Sequence, residues 1–316
     1  MAYLPFYITP EECVIYQEAQ EQEIASGDHV ISWATVNVEE PSRYIHISMT
    51  LVPSIVCVLI FFLLVDFGNV SQALTLAGGL SLGVLIVYFL LRLNFLKRYS
   101  FTLSEKGFIS KQRSTLPKWF NTATQVMGWF GAIVCVFMVA VAGPMALAGA
   151  GGFILLSFGM LKRQPDEPTE IKVGMREDWL FTYYNRKRKV IKFFHKYDVC
   201  CEWNLEKKTI FRCHDRGYTY LFFKTVTDLE TMITKLSKDY NLECIELKDH
   251  KDFFEGRVES KLLHIPARSL EYPVEDTFEL RAKKTPPPKW EYLYNGQWRT
   301  KAEIEKLNTE SATAKE

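Results

Sequence analysis

The sequence predicts a membrane protein with four α-helical transmembrane spans and a cytoplasmic β-rich domain that is closed by one helix. The composition is average, with 48% hydrophobic and 24% charged residues among 316. The apolar residues, however, are concentrated in 45–65, 70–91 and 126–161, which contain no Asp, Glu, Lys or Arg. A bilayer core needs about 20 such residues for one helical crossing. Residues 170–224 instead consist of short β-type runs separated by turns.

The apolar runs predict two transmembrane hairpins. The run 45–65 is ~31 Å long as a helix, and residues 66–69 form a turn before 70–91 returns across the bilayer. The run 126–161 would extend ~54 Å as one helix, which is too long for a single span. Gly143-Pro144 lies near its middle and divides it into two short helices. A re-entrant hairpin is the alternative interpretation of this run.

The distribution of basic residues predicts the orientation. Lys and Arg are frequent in 92–125, and Lys162 and Arg163 follow the last apolar run, whereas the turns at 66–69 and 143–144 have neither. Positive charge near the ends of spans marks the cytoplasmic side. We therefore expect a multi-pass protein of the inner (plasma) membrane with both termini in the cytoplasm. Small-residue pairs such as Gly79-x-x-x-Gly83 are also compatible with a homo-oligomer through the transmembrane helices.

The predicted organisation has six segments. They are an acidic cytoplasmic N-terminal segment with a helix (1–44), the first transmembrane hairpin (45–91), a basic cytoplasmic loop (92–125), the second transmembrane hairpin (126–161), the cytoplasmic β-rich domain (162–250), and a charged tail with an aromatic hairpin near 290–298 (251–316).

The N-terminal segment carries a helix-start signal. Thr9-Pro10-Glu11-Glu12 combines an N-cap residue, a proline at the first helical position and early acidic residues. We expect a helix as far as about residue 25 that ends near Gly27. Its acidic face lies either against the basic segment 92–125 or in solvent.

The β-rich domain is predicted to contain six strands and one helix. The strands are expected near 170–176, 179–184, 189–195, 198–204, 207–213 and 217–224. Residues 185–188 and His214-Asp215-Arg216-Gly217 are expected to form hairpin tips. Thr227-x-x-Glu230 has the spacing of a capping box, and apolar residues recur at helical spacing as far as Tyr240.

Three short motifs and this helix carry a resemblance. They are Trp179-Leu-Phe-Thr-Tyr-Tyr, Thr209-Ile-Phe-Arg and Tyr218-Thr-Tyr-Leu-Phe-Phe, followed by the helix at 227–240. Beside a transmembrane hairpin, this pattern resembles bacterial membrane-anchored proteins with a pleckstrin-homology-like (PH-like) cytoplasmic domain. The resemblance implies a PH-like barrel or sandwich, and it implies no catalytic residues.

Two groups of residues are candidates for binding. A basic hairpin tip close to the predicted bilayer suggests binding to anionic lipid headgroups, and a solvated tip is the alternative; its residues are Arg186, Lys187, Arg188, Lys189 and Lys192. In the tail, Asn295-Gly296 between aromatic arms predicts a hairpin, and Thr300-x-x-Glu303 predicts a helix start. The aromatic side chains of this hairpin either dock on the main domain or bind a partner protein; they are Trp290, Tyr292, Tyr294 and Trp298.

Signals for chemistry are weak. The chain has no phosphate-binding Gly-x-x-x-x-Gly-Lys-Ser/Thr motif and no His-Glu-x-x-His motif. A metal site is not expected because no Cys-x-x-Cys pair is present; the nearest candidates would be His195, Cys200, Cys201, Cys213 and His214. We therefore expect no cofactor and no enzymatic activity, and the net charge of +1 argues against a nucleic-acid partner.

These observations favour one function and leave an alternative. The favoured function is that of a non-enzymatic, multi-pass inner-membrane protein whose β-domain binds a protein partner or anionic lipid headgroups. The alternative is a pore-forming or channel-like membrane effector that uses the 126–161 hairpin, since apolar constrictions can gate a channel.

Overall fold

The computed structural model describes residues 3–42, 44–64, 95–115, 169–204, 208–254 and 260–313, together with scattered residues between 77 and 92 and between 119 and 133. The helices in this part of the chain are α1 (Pro10–Ala25), α2 (Ile45–Leu64), α3 (Val226–Lys238), α4 (His250–Phe254), α5 (Asp276–Ala282) and α6 (Lys301–Thr313). The strands are β1 (Ile31–Asn37), β2 (Lys97–Leu103), β3 (Gly107–Ser114), β4 (Glu170–Met175), β5 (Trp179–Asn185), β6 (Val190–Asn204), β7 (Thr209–Phe222), β8 (Cys244–Glu246), β9 (Arg268–Pro273), β10 (Glu291–Tyr294) and β11 (Gln297–Thr300).

The strands form two main sheets and a separate hairpin. The first sheet has the order β1-β2-β3-β4 and is antiparallel throughout. The second has the order β8-β5-β6-β7-β9, in which the short strand β8 runs parallel to β5 and the other neighbours are antiparallel. The hairpin β10–β11 belongs to the tail.

The main hydrophobic core lies between the two sheets and α3. Phe108 of the first sheet and Phe193 of the second are buried, with their ring centroids 4.9 Å apart. Helix α3 adds Leu229, Met232 and Leu236, whose spacing of three and four residues places them on one face of the helix. This helix closes the core, as the sequence pattern predicts.

The local signals at α1 and in the tail hairpin are confirmed. The Thr9 hydroxyl accepts a hydrogen bond from the Glu12 N–H at 3.3 Å, and the Glu12 carboxylate accepts one from the Thr9 N–H at 3.0 Å. In the tail, Asn295 and Gly296 have φ values of 49° and 78°. These left-handed values are those of the two-residue hairpin turn that Asn-Gly favours.

The number of strands in the β-rich domain was predicted incorrectly. The runs 189–195 and 198–204 are one strand, β6, and 207–213 and 217–224 are joined in β7. Residues His214–Gly217 therefore lie within a strand, where His214 is opposite Asp198 and Gly217 is opposite His195. These residue types favour turns, but here they lie in a strand because the facing strand supplies hydrogen-bond partners for their backbone groups.

The predicted cap of α3 needs correction, and the predicted contact between α1 and the basic segment gains support. Helix α3 is capped by Thr225 and Asp228, not by Thr227 and Glu230, since Thr225 Oγ1 accepts from the Asp228 N–H at 3.0 Å. The basic segment predicted as a loop at 92–125 contains the β2–β3 hairpin. Its Lys111 Nζ lies 2.6 Å from Glu21 Oε2 of α1, so the acidic helix does contact this basic segment.

The predicted four-span membrane fold is contradicted. Among the residues that the structure describes, no helix is both long enough and apolar enough to span a membrane. Helix α2 occupies the first predicted span, while the predicted spans at 70–91 and 126–161 lie largely outside the described residues. The span prediction depended on apolar composition alone, whereas the described chain is rich in β-sheet and buries its aromatic side chains between sheets. The predicted inner-membrane localisation depended on the same spans and is contradicted with them.

The close packing of β3 against β4 yields a testable prediction. Gly174 of β4 lies opposite Phe108, and a Cβ atom at Gly174 would overlap Phe108 Cε1 and lie 2.8 Å from Cζ. We expect Gly174→Ala to lower the free energy of unfolding by about 1–3 kcal/mol, because the ring cannot move without disturbing the core. Urea denaturation of the full chain measures this.

The control is Gly78→Ala, because Gly78 is helical and a Cβ atom there meets no described residue within 4 Å. This variant should be as stable as the parent chain or slightly more stable. Equal stability of the two variants would contradict the proposed packing of Phe108.

Candidate partner-binding surface

The hairpin β6–β7 extends past the end of its neighbour β5. Pairing of β5 with β6 stops at Trp179↔His195, whereas β6–β7 pairing continues to Asn204↔Thr209. We call residues 198–204 and 209–214 the β6–β7 arm. On its β7 side the arm is paired with β9.

One buried arginine joins the inner face of the arm to the N-terminal segment, residues 3–8. Arg212 is 0% exposed. Its Nε donates a hydrogen bond to the Phe6 carbonyl at 3.0 Å, and its Nη2 donates to the Pro5 carbonyl at 3.1 Å. The Nη2 atom also lies 2.9 Å from Asp198 Oδ1. A buried guanidinium is tolerated only when it is paired and hydrogen-bonded, so the arm and the N-terminal segment depend on each other.

His214 completes this cluster as a neutral side chain. His214 Nδ1 accepts a hydrogen bond from Arg268 Nε at 3.1 Å, and Nε2 lies 2.9 Å from Arg212 Nη2 and 3.2 Å from Asp198 Oδ1. Burial, followed by the charges of Arg212 and Arg268, lowers the pKa of His214 to about 3. Burial also raises the pKa of Asp198, although the charge of Arg212 opposes the shift. The ring of Tyr3 is stacked on His214 with centroids 4.6 Å apart.

The far end of the arm carries an aromatic pair, an exposed tryptophan beside a half-buried phenylalanine. Trp203 is 66% exposed, and its ring centroid lies 5.5 Å from that of Phe211 on the facing strand. Tryptophan is enriched among the residues that dominate binding energy at protein interfaces. We call Trp203 and Phe211 the aromatic end of the arm.

Some side chains of the basic tip that was predicted to bind lipid form hydrogen bonds within the protein. Lys192 is 1% exposed and its Nζ donates to a backbone carbonyl of α4 at 3.2 Å. Arg188 donates to backbone carbonyls that follow β1, and Lys189 Nζ donates to the carbonyl of Lys224 at 2.6 Å. Arg186 and Lys187 remain exposed. The five residues therefore do not form one exposed basic surface.

Two of the tail aromatics, for which docking on the main domain and binding of a partner were both expected, contact the main domain. The ring centroid of Trp290 lies 4.2 Å from the guanidinium carbon of an arginine in β9. The ring centroid of Trp298 lies 4.5 Å from the guanidinium carbon of an arginine in β7. Tyr294 donates its hydroxyl proton to an amide oxygen of α6 at 2.8 Å, and Tyr292 is half-buried. Trp298 retains 46% exposure, so it is the predicted tail residue that offers the most aromatic surface.

The candidate metal ligands do not converge. His195 uses Nδ1 with the Lys196 carbonyl and Nε2 with the Thr219 hydroxyl, both at 2.9 Å. Within the described residues no group of three His, Cys, Asp or Glu side chains could hold a metal ion.

Comparison with known proteins identifies the family. A family model described as TsiV2 immunity protein matches residues 16–264, which include part of α1, the whole first sheet, strands β5 to β8 of the second sheet, and α3. The chain belongs to the TsiV2 immunity protein family. The match ends before β9 and the tail hairpin, so these parts lie outside what the family model covers.

A similar protein of this family is the immunity protein TsiV2 of Vibrio cholerae serotype O1. It is 37% identical over 68 residues, a region that makes up 22% of this chain and 28% of the relative. The aligned region thus spans under a third of the relative's length. No solved structure matches the chain.

Family membership corrects the earlier functional interpretation. The resemblance to membrane-anchored PH-like proteins is wrong, and so are the interpretations as a multi-pass lipid-binding protein and as a pore-forming effector. The family name is compatible with the expected protein partner and with the expectation that the chain is not an enzyme. The comparisons give no support to lipids or to a homo-oligomer as partners.

Sequence reasoning missed the residues that organise this surface. Arg212 and Trp203 lie in runs that were predicted only as short strands. No local sequence pattern marks either residue. The importance of Arg212 depends on Pro5 and Phe6, which are about two hundred positions away in the sequence.

The neutral state of His214 gives a pH-dependent prediction. The unfolded chain protonates His214 near pH 6.5, whereas the folded chain does so only at about pH 3. As the pH falls between these values, the unfolded state gains a proton that the folded state lacks, so stability is lost by about 1.4 kcal/mol per pH unit. We expect His214→Gln to remove that contribution and to reduce the slope of unfolding free energy against pH by this amount.

Urea denaturation at a series of pH values measures the slope. His264→Gln is the matched control, since His264 is exposed, and it should keep the slope of the parent chain. An unchanged slope in His214→Gln would show that His214 is not held neutral in the folded protein.

Proposed function

We propose that this chain protects the cell that makes it by binding a toxin protein and preventing that toxin from acting. The observation that carries the proposal is the family match over residues 16–264. Toxin–immunity pairs are among the tightest protein complexes. A non-enzymatic inhibitor needs a stable binding surface and no catalytic constellation, in keeping with the fold described above.

We further propose that the aromatic end of the arm, Trp203 and Phe211, forms the centre of the toxin-binding surface. A tryptophan with 66% exposure leaves a large apolar area in water, and covering that area in a complex contributes favourably to binding. The arm that carries it is fixed on its inner face by the buried Arg212. A rigid support reduces the conformational entropy that is lost on binding.

The tail residues Trp290, Tyr292, Tyr294 and Trp298 stay a competing prediction for the same role. Trp290 already packs against β9 and Tyr294 is hydrogen-bonded to α6. Trp298 is therefore the tail residue whose replacement tests that alternative most directly.

Protection of sensitive cells tests the function. Bacteria that are killed in co-culture by toxin proteins of the source strain are made to express the full chain, and their survival is compared with that of cells carrying an empty vector. We expect the chain to restore survival against one toxin. Failure to protect against any toxin of that strain would contradict the proposed function.

The purified toxin against which the chain protects then tests the surface. We expect Trp203→Ala to weaken its affinity by about tenfold or more, as the loss of a central interface aromatic does. Isothermal titration calorimetry measures this. Ile15→Ala on α1 is the control, because Ile15 has a similar exposure of 64%, and it should leave the affinity unchanged.

Trp298→Ala is measured in the same series. A loss of affinity in Trp298→Ala with none in Trp203→Ala would place the binding surface on the tail and would contradict the assignment to the arm. A loss in Trp203→Ala alone supports the arm.

A further inference from the structure

A cavity of about 530 Å³ lies away from the aromatic end of the arm. It is bordered by α1, by β4 and by the central parts of β6 and β7, with Leu4 of the N-terminal segment at one side. This volume is typical of sites for small ligands or for a single inserted side chain. The toxin surface proposed above does not require the cavity, so the cavity calls for its own explanation.

One carboxyl oxygen that borders the cavity has no hydrogen-bond partner in the part of the chain that the structure describes. Asp178 lies between β4 and β5 and is 6% exposed, and its Oδ1 has no partner within the described residues. By contrast, both ring nitrogens of His195, which also lines the cavity, are hydrogen-bonded. Leaving a buried carboxyl oxygen unpaired is costly. A ligand that donates a hydrogen bond to Asp178 would remove that cost.

The other groups of the cavity favour a ligand with positive charge. Glu39 adds a further carboxyl group to the lining, whereas Asp198, which also borders the cavity, is already paired with Arg212. The two lysines of the lining contact other groups. Lys172 Nζ lies 3.3 Å from a carboxylate oxygen of Glu170, and Lys196 Nζ lies 5.6 Å from the ring centroid of Tyr3.

Aromatic rings in the lining also suit a cation. Tyr218 and Tyr220 both border the cavity, with ring centroids 5.1 Å apart. Lys192 Nζ lies 4.4 Å from the Tyr218 centroid and also donates to a backbone carbonyl of α4, so Tyr220 is the ring of this pair that is open to a further cation. A carboxyl group beside tyrosine rings is a recurrent arrangement for recognising guanidinium and ammonium groups.

We propose that this cavity binds an organic cation, a guanidinium or a primary ammonium group, with Asp178 as its counter-ion and the Tyr220 ring as its aromatic wall. The cation belongs either to a free small molecule or to an Arg or Lys side chain of another protein. Both sources present the same donor group to Asp178.

The charge state of Asp178 makes binding measurable through proton release. Burial, followed by the charges of Glu177 and Asp198, raises the pKa of Asp178 to about 8, and Lys196 and the N-terminal amino group oppose the shift. The remaining charged groups of the lining are Glu39 and Lys172. At pH 7 the carboxyl group therefore holds a proton in the free protein. A bound cation stabilises the carboxylate, and the proton passes to the buffer.

Isothermal titration calorimetry of the full chain with methylguanidinium and with n-butylammonium tests the proposal. Titrations at pH 7 in two buffers of different ionisation enthalpy give the number of protons released. We expect binding of at least one of these cations with release of about one proton per cation. A blocked peptide containing one arginine is titrated in parallel, and tighter binding of the peptide than of the free cations assigns the site to a protein side chain.

Two variants complete the test. Asp178→Asn should weaken binding by about tenfold or more, because the counter-ion is lost, whereas Glu305→Gln on the exposed face of α6 should bind as the parent chain does. Absence of binding by the parent chain, binding without proton release, or equal binding by Asp178→Asn would each overturn the proposal. The proton count comes from the parent chain, so it stays decisive if Asp178→Asn does not fold. No toxin is used, so the result is independent of the proposed immunity function.

Discussion

The buried guanidinium of Arg212 is the constraint on which the arrangement of the arm depends. It is fully buried, and it is hydrogen-bonded to Asp198 and to the carbonyls of Pro5 and Phe6. Removing a charge of this kind from water is costly, and the cost is offset only if every partner stays in place. The N-terminal segment is thus a structural part of the second sheet, since its backbone supplies acceptors that Arg212 requires. His214 extends the cluster as a neutral group that links Asp198 to Arg268.

This constraint connects the two surfaces for which we propose functions. On its inner face the arm is held by Arg212 and covered by Phe6 and Tyr7. Its other side leaves Trp203 free to contact a partner. Nearer the centre of the sheet, the N-terminal segment contributes Leu4 to the border of the cavity that contains Asp178. The binding function that we propose needs such rigidity more than it needs catalytic groups, because a pre-formed surface loses less entropy when the partner binds.

The sequence predicts the features that depend on neighbouring residues and misses those that depend on distant ones. The cap at Thr9 and the Asn295-Gly296 turn are correct because each involves groups only a few residues apart. His214–Gly217 has turn-type residues but forms part of β7, since β6 supplies partners that a local pattern does not reveal. The candidate site was missed for the same reason: Arg212 gains its importance from the N-terminal segment. The membrane interpretation failed differently, because it treated the hydrophobicity of three runs as sufficient evidence for the fold.

The central claim is that Arg212 fixes the N-terminal segment to the arm. Amide hydrogen exchange of the full chain, compared with that of Arg212→Met, tests it most directly, since methionine keeps an unbranched apolar chain but cannot donate hydrogen bonds to carbonyls. We expect residues 3–8 and the arm to lose protection while β2 and β3 keep theirs, with Arg186→Met, an exposed site, behaving as the parent chain. Unchanged protection of residues 3–8 in Arg212→Met would contradict the account.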